Sequence, residues 1–345
     1  MLISLFDIVG PIMIGPSSSH TAGAARLGRA AFDRLGNLPE AIEITLYNSF
    51  ADTGEGHGTD KALLAGCLGI SCYDEQLKNA FEIAIDKKVK YVIRKKQNAK
   101  YHPNTAEMKL MYKENKVHMV GVSLGGGRIA IYDWKDVAKV KYNDKKSIKN
   151  LSKQDEFYSF SGLIKKYNLN PDKLIDMAIK REGKLSKKTA EEIVSAMYEA
   201  WQIMKEGVEK SVTKNKKMFD GLCGGDAFKI KNKKQSDLLG EVATSAVAYA
   251  LAIGELNVSM GRIVAVPTAG SAGIIPGCLY SLYKNKKISE EKIIRALFLA
   301  GTIGLAIANR ATLAGSEGGC QAECGAASAM AAGAVAYLMG GSIDV

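Results

Sequence analysis

The sequence predicts an α+β N-terminal domain followed by a mostly α-helical catalytic domain, and three observations carry that expectation. Up to Trp134, helical and strand signals alternate along the chain. A lysine-rich segment follows, and beyond it strand signals almost vanish. The chain has 345 residues, of which 47% are hydrophobic, enough for two ordinary cores. The predicted division is residues 1–134, a linker at 135–155, and a helical domain over 156–345. In the first domain, Thr21–Leu35 reads as an amphipathic helix with Thr21 as its candidate N-cap. Ala41–Tyr47 alternates like a strand, and Thr59–Leu68 is helical again. Thr105–Tyr112, Lys116–Ser123 and Arg128–Tyr132 read as strands, with Gly125–Gly127 as the turn between the last two. In the second domain, Ser161–Tyr167, Ser186–Lys210, Leu238–Leu256, Ser289–Gly304 and Gln321–Leu338 read as helices.

The net charge of +11 comes from two segments, Lys135–Lys153 at +5 and Lys210–Lys234 at +6. Neither has the arginines, interleaved aromatics or zinc spacing of a nucleic-acid module, so both read as solvated surface and no nucleic-acid partner is expected. The longest apolar runs, Val242–Gly254 and Ala296–Ala308, are too short to span a bilayer, so no membrane partner is expected. LISLFDIVGPIMIG after Met1 lacks a basic n-region and a cleavage site, so no signal peptide is expected. Six scattered cysteines do not form a disulfide framework, and a reducing cytoplasm is the expected compartment.

Chemistry-bearing residues gather in glycine- and hydroxyl-rich loops. GPSSSHT at Gly15–Thr21 sets Ser17, Ser18, Ser19, His20 and Thr21 at a helix start. Hydroxyls and unpaired backbone N–H groups converge there, which suits either an anion site or an elaborate cap. DTGEGHGTD at Asp52–Asp60 holds His57 between two glycines, either as an accessible proton carrier or as a turn residue tolerant of unusual backbone angles. His102, in HPNT, carries the same ambiguity, whereas His118 lies within a strand and reads as structural. PTAGSAGIIPG at Pro267–Gly277 offers Thr268 and Ser271 hydroxyls and close backbone approach at Gly270. It lacks the spacing of a phosphate loop. GLCGGDAFK at Gly221–Lys229 adds Asp226 and Lys229, with Cys223 read as a small buried thiol. SEGGCQAEC at Ser316–Cys324 places Cys320 where a glycine-rich turn meets a helix, a setting for a metal ligand or reactive thiolate.

Taken in order, GPSSSHT, GHGTD, HPNT, GGDA, PTAGSAGIIPG and GGCQAE resemble the iron–sulfur-dependent L-serine dehydratases. The resemblance runs over nearly the whole chain and is of the single-chain type, with the α+β half preceding the helical catalytic half. It implies deamination of L-serine to pyruvate and ammonia with a [4Fe–4S] cluster and without pyridoxal phosphate. An open iron would act on the β-hydroxyl as a Lewis acid, and a histidine would remove the α-proton. His57 is the first candidate for that base and His20 the second. Ser17, Ser18, Ser19, Thr21, His102, Asn104, Thr268, Gly270 and Ser271 would bind substrate.

The resemblance also implies three cluster cysteines. Cys320 matches the first; the other two would lie in a CDP…PC segment that the sequence to Val345 does not contain. Cys324 is not carried over as a ligand. Three expectations follow: a chain truncated at its C-terminus and inactive alone, a split enzyme completed in trans by a C-terminal chain, or an amino-acid-binding regulatory protein without catalysis. Homodimer formation or other self-association is expected from apolar surface left open on the Gln321–Leu338 helix.

Overall fold

Alternating burial builds the sheet. In the computed structural model, which describes residues 2–134, 157, 162–164, 170–215, 223–233, 239–313 and 315–342, strands β1 (Ala41–Tyr47), β2 (Lys90–Lys96), β3 (Thr105–Tyr112), β4 (Asn115–Gly125) and β5 (Arg128–Asp133) form one sheet in the order β2-β1-β3-β4-β5. β1 and β2 are parallel and the other pairs antiparallel, so the sheet is mixed. Ile42, Ile44 and Leu46 share the buried face with Ala106, Met108 and Leu110, as the register Ile44↔Met108 requires. Helices α1 (Gly23–Leu35), α2 (Ser49–Asp52), α3 (Gly54–His57), α4 (Thr59–Cys67) and α5 (Ala80–Asp86) complete this region. α1 lies on the sheet because Gly121 leaves room for the Leu27 side chain.

Two details differ from the sequence reading. The N-cap of the first helical segment is Ser17, not Thr21, because an extra residue is wound into a π-helical turn at Ser18–Ala22 ahead of α1. Thr21 is fully buried inside that turn. β2 is an additional strand, lysine-rich and at the sheet edge, where charge discourages pairing with another chain.

The second region is mostly helical: α6 (Pro171–Ser186), α7 (Ala190–Ser211), α8 (Asp226–Asn232), α9 (Gly240–Val258), α10 (Ile274–Asn285), α11 (Glu290–Arg310) and α12 (Gly315–Leu338). Ser186 and Ala190 belong to separate helices. Lys187 turns left-handed at φ 57°, and a Thr189–Glu192 capping box starts α7. The lysine-rich linker at 135–155 and most of Ser161–Tyr167 lie outside the described residues, as does part of Lys210–Lys234.

Contacts divide the chain into two units that do not follow chain order. One comprises Ile12–Asp144 with Met260–Arg262; the other comprises Met1–Pro11, Lys145–Ser259 and Ile263–Val345. The first residues therefore pack with the helical unit, whereas a division by chain order puts them in 1–134. Glu182, buried on α6, accepts the Leu5 N–H at 2.8 Å and the Ser4 hydroxyl at 2.6 Å. Gly301 on α11 leaves space for Leu5 and Val9, and Gly304 does so for Ile8.

Candidate active site

In the α+β unit, one helix crossing sets the two histidine motifs side by side. α1 and α4 touch backbone to backbone: a Cβ at Gly28 would strike the Leu63 carbonyl and lie 2.7 Å from the Cys67 nitrogen. A Cβ at Gly66 would likewise strike the Ala25 carbonyl and lie 2.6 Å from the Arg29 nitrogen. The N-terminal ends of these helices carry GPSSSHT and GHGTD. Across them, the Thr21 hydroxyl donates to the His57 carbonyl at 2.8 Å. The His20 and His57 rings lie 5.0 Å apart at 35°.

His20 is buried and held at both ring nitrogens. Nδ1 is 2.8 Å from the Ser19 hydroxyl and Nε2 is 2.9 Å from that of Ser49. Ser17 Oγ accepts the His20 backbone N–H at 3.1 Å and lies 3.3 Å from Ser19 Oγ. Phe50 meets the ring edge-on at 5.3 Å. Burial, and after it the neighbouring His57, push the His20 imidazole down to about 4, so it is neutral at physiological pH. Ser18 is buried beside it in sequence.

His57 closes α3, and the left-handed angle falls on Gly58 at φ 61°. Its Nδ1 is buried and has no hydrogen-bond partner. Ser49 is a residue that sequence reasoning does not single out: it follows a strand end, and only the fold sets it against His20. Before it, Asn48 holds φ 52°, ψ −122°, outside the comfortable range of a side-chain-bearing residue.

The HPNT residues make a turn into β3. His102 Nδ1 accepts the Asn104 N–H at 3.0 Å, and the His102 carbonyl accepts the Thr105 hydroxyl at 2.7 Å. Asn104 is buried, donates to the Ser123 carbonyl at 3.3 Å, and leaves its Oδ1 without a partner. Phe50 N–H reaches the Pro103 carbonyl at 3.4 Å, tethering this turn to α2. His118 pairs with Glu107 at 2.7 Å and stacks on Trp134 at 5.0 Å.

In the helical unit, the Pro267–Gly277 loop uses its hydroxyls internally. Thr268 and Ser271 are buried, 3.2 Å apart, and Ser271 also bonds the Val266 carbonyl at 3.2 Å. Asn257 secures the loop through the Ala269 carbonyl at 3.0 Å. Gly270 is exposed, and a Cβ there would lie 2.9 Å from Oε2 of Glu323 on α12. Glu323 is a second residue that the motif reading leaves without a role.

Cys320 follows a break in α12, where Gly319 takes φ 72°, ψ 178°. Cys320 and Cys324 are exposed, Cys223 and Cys278 half-buried, and Cys67 and Cys72 buried, all six as free thiols. Among the described residues no group of three His, Cys, Asp or Glu side chains could hold a metal ion. Among them, too, no helix is long and apolar enough to cross a membrane.

Comparison with known proteins gives this geometry its context. Residues 4–76 match the family model described as serine dehydratase beta chain, and residues 140–345 match that of serine dehydratase alpha chain. The L-serine dehydratase of Streptomyces coelicolor is 30% identical over 374 aligned positions, covering 99% of this chain and 80% of that one. Two separate Bacillus subtilis chains match one part each. The probable L-serine dehydratase beta chain is 47% identical over 37% of this chain and 58% of its own length. The probable alpha chain is 40% identical over 48% of this chain and 56% of its own. With both family models met in one polypeptide, the chain belongs to the L-serine dehydratase family in its single-chain form.

Proposed function

We propose that this chain deaminates L-serine to pyruvate and ammonia, with His57 as the base that removes the α-proton. The observation that carries this reading is the His57 Nδ1, buried and without a partner beside a helix start lined by serine hydroxyls. His20 serves less well as a base, because both its nitrogens are already engaged by Ser19 and Ser49. Loss of the α-proton and of the β-hydroxyl leaves aminoacrylate, which tautomerises and takes up water to release ammonia. Ser17 and Ser19 are the proposed polar wall for the substrate carboxylate, with Ser18 and Thr21 buried behind them and Thr21 tying the wall to the His57 carbonyl. His102 and Asn104 are proposed as further substrate contacts, supported by the unpartnered Asn104 Oδ1. Thr268 and Ser271 shape a loop that presents Gly270.

The [4Fe–4S] cluster that the family resemblance implies is not matched by the described residues alone, since Cys320 and Cys324 are not joined by a third ligand. Cys320 is proposed as one thiolate of a ligand set completed by others, and pyridoxal phosphate has no proposed role. A homodimer, or association with a complementing chain, is the proposed assembly. It is supported by the exposed Val247, Leu251 and Val258 along one side of α9. The proposed compartment is the cytoplasm, in keeping with six free thiols.

Anaerobic reconstitution with iron and sulfide, followed by a pyruvate assay, tests the reading. Serine-dependent pyruvate that disappears in His57→Ala at unchanged iron content is the expected result. Serine binding without pyruvate at full iron loading would instead favour a regulatory binding protein.

A further inference from the structure

Ser49 and the preceding Asn48 belong to none of the motifs that point to the family, yet Ser49 meets the His20 ring directly. The His20 Nε2 and Ser49 Oγ are 2.9 Å apart, and the opposite nitrogen meets Ser19 Oγ at 2.8 Å. A neutral imidazole has one donor and one acceptor nitrogen, so the hydroxyl on one side must donate and that on the other must accept. Continuing through Ser17 Oγ, 3.3 Å from Ser19 Oγ, gives a chain Ser17–Ser19–His20–Ser49 with only two consistent directions. In one, Nε2–H donates to Ser49, which keeps its own hydroxyl hydrogen to give away. In the other, Ser49 donates to Nε2, and the spare hydrogen emerges at Ser17. The partner at Nε2 thus decides which end of the serine wall can donate.

The backbone before Ser49 is built to hold it there. Asn48 at φ 52°, ψ −122° is costly for a non-glycine residue, and its side chain is anchored at three points. Its Nδ2 donates to the carbonyls of Asn98 at 2.9 Å and Tyr101 at 3.2 Å, and its Oδ1 accepts the Asn98 N–H at 2.8 Å. Its own N–H donates to the Lys96 carbonyl at 3.1 Å. An asparagine clamped so firmly in an unfavourable conformation aims the next residue.

We propose that Ser49, aimed by Asn48, is a positioning residue that fixes the tautomer of His20 and so the direction in which the serine wall donates hydrogen bonds to substrate. This rests on the serine-binding reading of the preceding subsection.

The test is nitrogen–proton correlation NMR of the histidine rings in the full chain, together with an L-serine titration. Wild type should show one neutral His20 tautomer, and in Ser49→Ala the His20 nitrogen shifts should move toward a mixed or reversed tautomer. L-serine affinity should fall about tenfold, the scale of one well-placed hydrogen bond. Ser49→Thr, which keeps the hydroxyl, should restore both. Unchanged His20 shifts in a folded Ser49→Ala protein would overturn the proposal, as would altered shifts with unaltered serine affinity. Should Ser49→Ala not fold, Asn48→Ala gives the same readout with the same two outcomes. Wild-type protein that binds no L-serine would sink the functional reading instead, while the tautomer measurement would still judge Ser49.

Discussion

His20 and His57 come from different helical segments yet face each other with ring centroids 5.0 Å apart. One ring is saturated with hydrogen bonds and the other has a bare nitrogen. That asymmetry is the basis of the different roles proposed for them. Replacing His57 by Ala should abolish pyruvate formation. It should also raise the His20 titration above about 4 while leaving it below 6.5, because burial outweighs the His57 charge among the causes. Proton NMR titration of the ring signals checks both the direction and the ceiling.

The depressed His20 titration has a consequence for stability. The unfolded chain takes up a proton near 6.5, whereas the folded chain resists until about 4. Stability from this residue is therefore complete above 6.5 and lost as pH falls toward 4, by roughly 3 kcal/mol. Urea midpoints at pH 7 and pH 4.5 should differ accordingly, and His20→Gln should flatten the difference.

Gly28 and Gly66 should not tolerate even one added carbon. Alanine at either would press a methyl group into the backbone of the facing helix. A loss of about 1–3 kcal/mol is expected, seen as a lower melting temperature. Serine affinity should fall with it, because the crossing carries both histidine motifs.

Thiol labelling should report the fold directly. Cys320 and Cys324 are exposed and should react with iodoacetamide in native protein stripped of iron. Cys67 is buried, and burial pushes its thiol far above the ordinary range, so it should react only after unfolding. Mass spectrometry of the labelled peptides distinguishes these groups.

Glu182→Ala should loosen the first residues of the chain. It strands the buried Leu5 N–H and removes the acceptor of the half-buried Ser4 hydroxyl, a cost of about 2–3 kcal/mol. Hydrogen exchange at Leu5 should accelerate more than exchange in α7.

Much of the sheet was legible because apolar residues recur at every second position. Ala41–Tyr47 and Thr105–Tyr112 alternate in sequence, and the strands occupy those bounds. Lys90–Lys96 escapes that pattern because an edge strand exposes its charged positions and Val92 and only half-buries Tyr91 and Ile93. The histidine motifs stood out in the sequence, but not as neighbours. Their pairing depends on Gly28 and Gly66, which look like ordinary small residues of two separate helices. Ser49 was illegible for another reason: a lone serine at a strand end carries no pattern, and only the Asn48 backbone turns it toward His20. Thr268 and Ser271 carry the opposite lesson, since hydroxyls in a glycine-rich loop can be consumed in shaping it.

The glycine crossing of α1 and α4 also governs what kind of motion the histidine pair can make. With no side chain between the two backbones, no rotamer can widen the gap at that point. The helices can only swing about it, like the blades of scissors about their rivet. His20 and His57 both lie beyond the same side of that pivot, so a small change in crossing angle would spread or close them. Substitutions far along either helix could thus retune the separation of the two rings without touching the histidines themselves.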